Sequence, residues 1–243
     1  KNSKALVIHR INECDERKKT LHMNFLLRLA NYSADHTIFI ASWLRHLNLT
    51  QKKAKYSVIL NGGNKKLFNL RNNVKWDKKE PLKLVTHHWG GNHMKGFDIY
   101  KKLDILLSDK KVKRKINFTY VGNLPKNFYF KNSKHIRPLS GKELAKELSK
   151  HHVYLTASIN EPAGMHHIEG ALSGLPLIYR KSGALPEYCN GYGLSFKNDD
   201  FFKKINLMRR DYYKFKKVLQ KYPHTAEEMC SKYILLFKEL LKD

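Results

Sequence analysis

The chain has 243 residues, of which 42% are hydrophobic, 12% aromatic and 28% charged, which excludes a disordered protein and allows one large domain or two modest ones. Its 47 Lys and Arg against 21 Asp and Glu give a formal net charge of +26, which invites a nucleic-acid or anionic-membrane reading. Lys outnumbers Arg 37 to 10, and the excess is spread along the chain, so the charge carries no sign of specific nucleic-acid recognition, which favours Arg.

In chain order, residues 5–8 read as a buried strand, and residues 20–30 as a helix with Leu21, Phe25 and Leu29 at helical spacing. Residues 36–41 are strand-like and run into a helical SWLRHL. Residues 56–60 form a strand closed by the turn Asn61-Gly62-Gly63-Asn64. The polar stretch 69–81, ending in Pro81, reads as a linker. Beyond it the alternation is more regular: strand 82–86, helix 97–107, strand 116–121, helix 142–150, strand 153–156, helix 165–173 with Gly174 as its C-terminal cap, and strand 175–179. The run KKVKRK (110–115) reads as a solvated turn. From about residue 200 the chain is helical, with Tyr233, Leu236, Phe237, Leu240 and Leu241 on one face. Strands separated by helices of this length predict an α/β fold with a parallel sheet covered on both faces.

Cys14, Cys189 and Cys230 are odd in number and far apart, which disfavours a disulfide framework and a zinc site and makes a reducing cytoplasm the expected compartment. No apolar run reaches the roughly 18 residues of a membrane span, and the first ten residues do not form a signal peptide. A chain that begins with Lys, already inside a strand-like run, is expected to continue upstream.

The most informative stretch is NEPAGMHHIEGALSG, residues 160–174. Pro162 suits a helix start, and the free N–H groups of Gly164 and Met165 would then offer a seat for phosphate. Glu161 precedes this helix and Glu169 lies about two turns into it, so both can face the carboxyl edge of the sheet, where open α/β folds bind ligands. Such carboxylates suit sugar and ribose hydroxyls, since they would repel phosphate.

The Glu161-x7-Glu169 spacing within EPAGMHHIEGALSGLPLI, followed by SGALPEY, resembles the signature of retaining GT-B glycosyltransferases of the GT4 family. Asn61-Gly62-Gly63-Asn64 with Phe68 resembles the motif that ends that family's N-terminal domain, and Lys95-Gly96-Phe97-Asp98 the one that opens the first helix of its donor domain. The resemblance implies a GT-B type α/β fold: a Rossmann-like parallel-sheet donor domain plus the C-terminal part of a second Rossmann-like domain. The implied division is a partial acceptor-side domain at 1–68, a linker at 69–81, a nucleotide-sugar donor-binding domain at 82–225, and a C-terminal helix at 226–243 packing back toward the first domain. About 70 residues precede the linker where an intact half needs roughly 150, so an N-terminally truncated chain is expected.

The resemblance also implies roles. Glu169 would hold the ribose hydroxyls, Glu161 the donor sugar, and Lys95 the diphosphate together with the amides of Gly164 and Met165. His9, at the end of the first strand, would stand beside the reacting sugar. His88 is a candidate donor contact in a segment that lacks the family's usual Arg, and Arg137 a candidate near the base. The implied activity is transfer of a sugar, with retained configuration, from a UDP- or GDP-linked donor to a glycan or lipid-linked acceptor. No cofactor and no metal are implied beyond the nucleotide-diphosphate sugar, which is the substrate. The implied location is cytoplasmic, with peripheral contact at the inner, anionic face of a membrane. The alternative is a non-catalytic nucleotide-sugar or polyanion-binding module. The plainer readings are a strand-end histidine for His9, packing or rim positions for His166 and His167, and core or site wall for His87 and His88. Arg10, Asp15 and Arg17 follow the first strand, where an interdomain cleft is expected, and an ion-paired loop explains them equally well.

Overall fold

The computed structural model describes residues 5–197 and 200–242; the outermost ends of the expected 1–68 and 226–243 units lie outside them. Two parallel sheets organise the chain. The first has three strands in the order β1 (Ile8–Ile11), β2 (His36–Phe39), β3 (Tyr56–Val58), with α1 (Asp15–Lys18) and α2 (Met23–Ala30) between β1 and β2. The second has six: β4 (Leu82–His88), β5 (Ile116–Gly122), β6 (Lys134–Ile136), β7 (Val153–Thr156), β8 (Leu177–Arg180) and β9 (Gly193–Phe196). Their spatial order is β6-β5-β4-β7-β8-β9, all parallel.

Side-chain alternation along the inner strands assigns the two faces of the larger sheet. Leu84, Phe118, Tyr120 and Leu155 join a core with Phe97, Tyr100 and Leu103 of α3 (Phe97–Leu106) and with Ile205, Met208 and Tyr212 of α8 (Phe201–Val218). Val85, Val121 and Tyr154 point the other way, onto Leu144 and Leu148 of α5 (Gly141–Leu148), Ile168 and Ala171 of α6 (Met165–Leu172), and Tyr188 of α7 (Leu185–Cys189). This second core continues into Ile11, Phe39 and Leu44 of the first sheet's side. The last helix, α9 (Ala226–Leu240), brings Leu236 back onto Ile38 and Ile59 beside β2 and β3.

Several local expectations shift. The first strand forms at Ile8–Ile11 instead of 5–8, because pairing with His36–Phe39 buries Ile11 completely while Ala5, Leu6 and Val7 stay exposed. The SWLRHL segment is a 3-10 turn, not an α-helix. KKVKRK is not simply a turn: α4 (Lys110–Lys113) is one helical turn, capped by Asp109, whose carboxylate accepts the Lys111 N–H. Residues 69–81 hold Trp76, 2% exposed, packed edge-on against Tyr212, with its Nε1 donating to the Glu80 carbonyl at 2.8 Å. Among the described residues no helix is long and apolar enough to cross a membrane.

Candidate functional site

The strand order reverses between β4 and β7, because β5 and β6 build outward on one side of β4 while β7, β8 and β9 build on the other. Loops leaving the carboxyl ends of β4 and β7 diverge there and open a crevice. The loop after β4 carries Lys95 and the loop after β7 carries Glu161. They are held against each other by the Ile159 N–H donating to the Met94 carbonyl at 2.8 Å, and by Gly96. At φ +97 a side chain on Gly96 would be strained, and its Cβ would lie 2.4 Å from Ala157. With the loops locked, Lys95 Nζ donates to Glu161 Oε2 at 2.7 Å, both side chains being about nine-tenths buried or more.

Glu161 is fixed from behind by the SGALPEY segment. Gly183, at φ +55, packs on its backbone, where a Cβ would come within 2.6 Å of Glu161 N and O. The Ala184 N–H donates to the Glu161 carbonyl at 2.9 Å. Gly164 is the N-cap of α6, and its Cβ would meet His166 Nδ1 at 2.4 Å, so glycine is needed where the chain turns past Glu161.

Glu169 sits on the face of α6 toward β4, and its Oε2 accepts from His87 Nε2 at 2.8 Å. The Tyr154 hydroxyl lies 3.1 Å from His87 Nδ1 and accepts the His87 backbone N–H at 3.0 Å. A proton on Nε2 leaves Nδ1 as an acceptor, and the single Tyr154 hydroxyl proton is shared between Nδ1 and the His87 carbonyl, 3.2 Å away. Helix and strand come close enough for this because residue 170 is glycine; a Cβ there would lie 2.4 Å from the Tyr154 ring.

Lys95, Glu161, Gly164, His87 and Glu169 line a cleft of about 800 Å³. Leu67 and Phe68 from the first sheet's side close it, and Val121, Gly122, Pro138, Leu139 and Leu144 give it a largely apolar end beside α5. Of the residues named from the sequence, Lys95, Glu161, Glu169, Gly164, Met165 and His88 share this cleft. His88 borders it but commits Nε2 to the Tyr100 hydroxyl at 3.0 Å, and its ring centroid is 4.4 Å from that of His166. Burial holds both imidazoles well below the ordinary histidine range, hence neutral. His166 and His167 are packed inside, and burial pushes His167 down to about 3.

His9 and Arg137 are not in the cleft lining. His9 Nδ1 lies 3.2 Å from Asn31 Nδ2, and Arg137 adjoins the lining residue Pro138. His87, read from the sequence as core or site wall, and Arg17, read as lying by an expected interdomain cleft or in an ion-paired loop, also line the cleft. The strand alternation held the signal for His87: it shares the parity of Val85, which faces α6, whereas His88 shares that of Leu84, which faces α3. Among the described residues no group of three or more His, Cys, Asp or Glu side chains is placed to hold a metal ion.

No family model matches this chain, and neither does a curated protein sequence. Solved structures do. The chain is similar to the pneumococcal O-GlcNAc transferase GtfA in complex with UDP and GlcNAc, at 17% identity and TM-score 0.73, covering 98% of this chain and 53% of that one. It is similar to Anabaena Alr3699/HepE in complex with UDP and glucose, at 13% identity and TM-score 0.73, covering 96% and 71%. It is also similar to TarM, at 16% identity and TM-score 0.71, covering 97% and 51%. The chain thus spans about half the length of GtfA and of TarM. At such identities the likeness is one of fold: parallel sheets in the mixed α/β GT-B arrangement of these glycosyltransferases.

Proposed function

We propose that the cleft binds a nucleoside-diphosphate sugar, and that the protein transfers the sugar, with retained configuration, to a glycan or lipid-linked acceptor as a GT4-type enzyme. The observation that carries this reading is the convergence of Lys95, Glu161, the His87–Glu169 pair and the Gly164–Met165 helix start at the switch point of a GT-B fold. The apolar end by Leu139 and Leu144 takes the base, and Glu169, oriented by His87, takes the ribose hydroxyls. Lys95 and the α6 N-terminus receive the diphosphate, and Glu161 addresses the sugar hydroxyls. Transfer breaks the bond between the anomeric carbon and the diphosphate oxygen. The negative charge gathering on that oxygen is what Lys95 and the helix N–H groups stabilise.

The complexes of GtfA and HepE contain UDP, which favours UDP over GDP as the carrier here. The +26 charge suits residence at an anionic, cytoplasmic membrane face, where lipid-linked acceptors are held. A second reading, a binding module without turnover, is favoured by one observation: His9 is absent from the cleft lining and approaches Asn31 instead.

Thermal denaturation with UDP, GDP and their sugars tests the proposal. A cognate nucleotide at about 100 times its Kd should stabilise the protein by about 2.7 kcal/mol, and Glu169→Ala should remove that gain. No stabilisation by any of them, or an unchanged gain in Glu169→Ala, contradicts it. Release of free sugar or transfer product then separates the enzyme from the binding module.

A further inference from the structure

The charge inventory of the cleft is unfavourable to an anion if only the six-stranded side is counted. Lys95 is its one permanent cation, and that cation already faces Glu161 at 2.7 Å, with Glu169 a second carboxylate in the same lining. His88 and His166 are fully buried and neutral, so they add no charge. A diphosphate placed there would meet two carboxylates and one lysine.

The missing charge comes from the other sheet. Arg17, on α1, lines the cleft, with Nε 3.8 Å from Glu161 Oε1 and Nη1 bonded to Glu13 Oε2 at 2.7 Å. Its Nη2 has no protein partner among the described residues, and the side chain is 31% exposed. The loop that carries it is fixed twice. The Asp15 carboxylate accepts from Thr20 and from the backbone N–H groups of Met23 and Asn24, and Asn160 Nδ2, beside Glu161, donates to the Glu16 carbonyl at 3.1 Å. A guanidinium held in this way offers a fork that matches phosphate oxygens, at a place no other arginine of the lining occupies.

We propose that Arg17 is the second cation for the ligand's diphosphate, so that the bound anion is gripped between Lys95 on the six-stranded side and Arg17 on the three-stranded side. Binding then joins the two sheets through the ligand itself. This inference rests on the nucleoside-diphosphate reading of the cleft.

Calorimetric titration with UDP, GDP, uridine, guanosine and inorganic pyrophosphate tests it on the full chain. Arg17→Gln should weaken the cognate nucleoside diphosphate about tenfold or more, as expected for a charged hydrogen bond, and flatten the salt dependence of its binding. The matching nucleoside should keep its affinity to within about twofold, which also reports an intact fold. If Arg17→Gln does not fold, Arg17→Lys, which keeps the charge and loses the fork, should show a smaller loss confined to the diphosphate. Equal diphosphate binding by wild type and variant overturns the inference alone, as does equal weakening of nucleoside and diphosphate. Pyrophosphate binding that depends on Arg17, without nucleotide binding, overturns the nucleotide reading and with it the inference as stated, and shows an Arg17-dependent anion site instead. Binding of none of these by the wild type removes both.

Discussion

The two sheets use similar sequence patterns with different results. In the six-stranded sheet the inner strands β4, β5, β7 and β8 find an apolar helix layer on each face, and Phe97, Tyr100, Tyr120 and Tyr154 are buried almost completely. In the three-stranded sheet β2 is buried along its length, but α1 and α2 bury no residue at all. The helix predicted from Leu21, Phe25 and Leu29 does form, at Met23–Ala30, yet Phe25 is 60% and Leu29 57% exposed. Amphipathic spacing specifies a helix and the face it offers; it does not supply the layer that covers that face. The smaller sheet therefore leans on the larger one. The Tyr188 hydroxyl donates to the Ile40 carbonyl and accepts from the Asn61 N–H, and Glu187 accepts from the N–H and hydroxyl of Ser42.

Acid should break this contrast most severely, because the buried histidines cluster on the six-stranded side. His88, His166 and His167 have folded pKa values below the unfolded value of 6.5, down to about 3 for His167. Above pH 6.5 both states are neutral and nothing is lost. Below it the unfolded chain binds protons that the folded chain refuses, so stability falls continuously toward the folded values. Urea denaturation at pH 7.5 and 5 should show a clear loss at the lower pH; equal or greater stability there would mean the imidazoles are not held neutral.

Truncating the covered core comes next: Phe97→Ala should cost about 3–5 kcal/mol in denaturant unfolding. The boundary is weaker. Tyr188→Phe leaves the Ile40 carbonyl and the Asn61 N–H without their shared partner and should cost about 1–3 kcal/mol. The smallest effect belongs to the uncovered helix, where Phe25→Ala should stay within about 0.5 kcal/mol. A cost for Phe25→Ala close to that of Phe97→Ala would show that α2 is covered in solution.

Much of the fold was legible because the period-2 and helical patterns of residues 82–180 agree with their burial on both faces. The edge strands β6 and β9 and the 3-10 turn at Ser42–His46 were not: β6 and β9 end the six-stranded sheet, and pairing with a single neighbour decides them. In the site, Glu161 stands just before α6 and Glu169 within it, so the sequence relates the two, and Gly164 and Gly170 stand beside them, whereas Gly183 reaches Glu161 from a distant loop. Lys95 lay within reach of the same reasoning through Gly96. For Arg17 the sequence shows only a place beside an expected interdomain cleft, because its approach to Glu161 depends on how α1 of one sheet meets the β7 loop of the other, about 144 residues away along the chain. His87 is told apart from His88 only by the face of β4, which its pairing with β5 and β7 assigns.

The central claim is that one cleft at the β4/β7 switch point holds a nucleoside diphosphate. A crystal structure of the protein grown with UDP or GDP tests it most directly. The account predicts the ribose hydroxyls on Glu169, and the diphosphate within hydrogen-bond reach of Lys95 Nζ and of the N–H groups of Gly164 and Met165. A nucleotide bound elsewhere, or a cleft that stays empty at saturating nucleotide with Lys95 still bonded to Glu161, would contradict it.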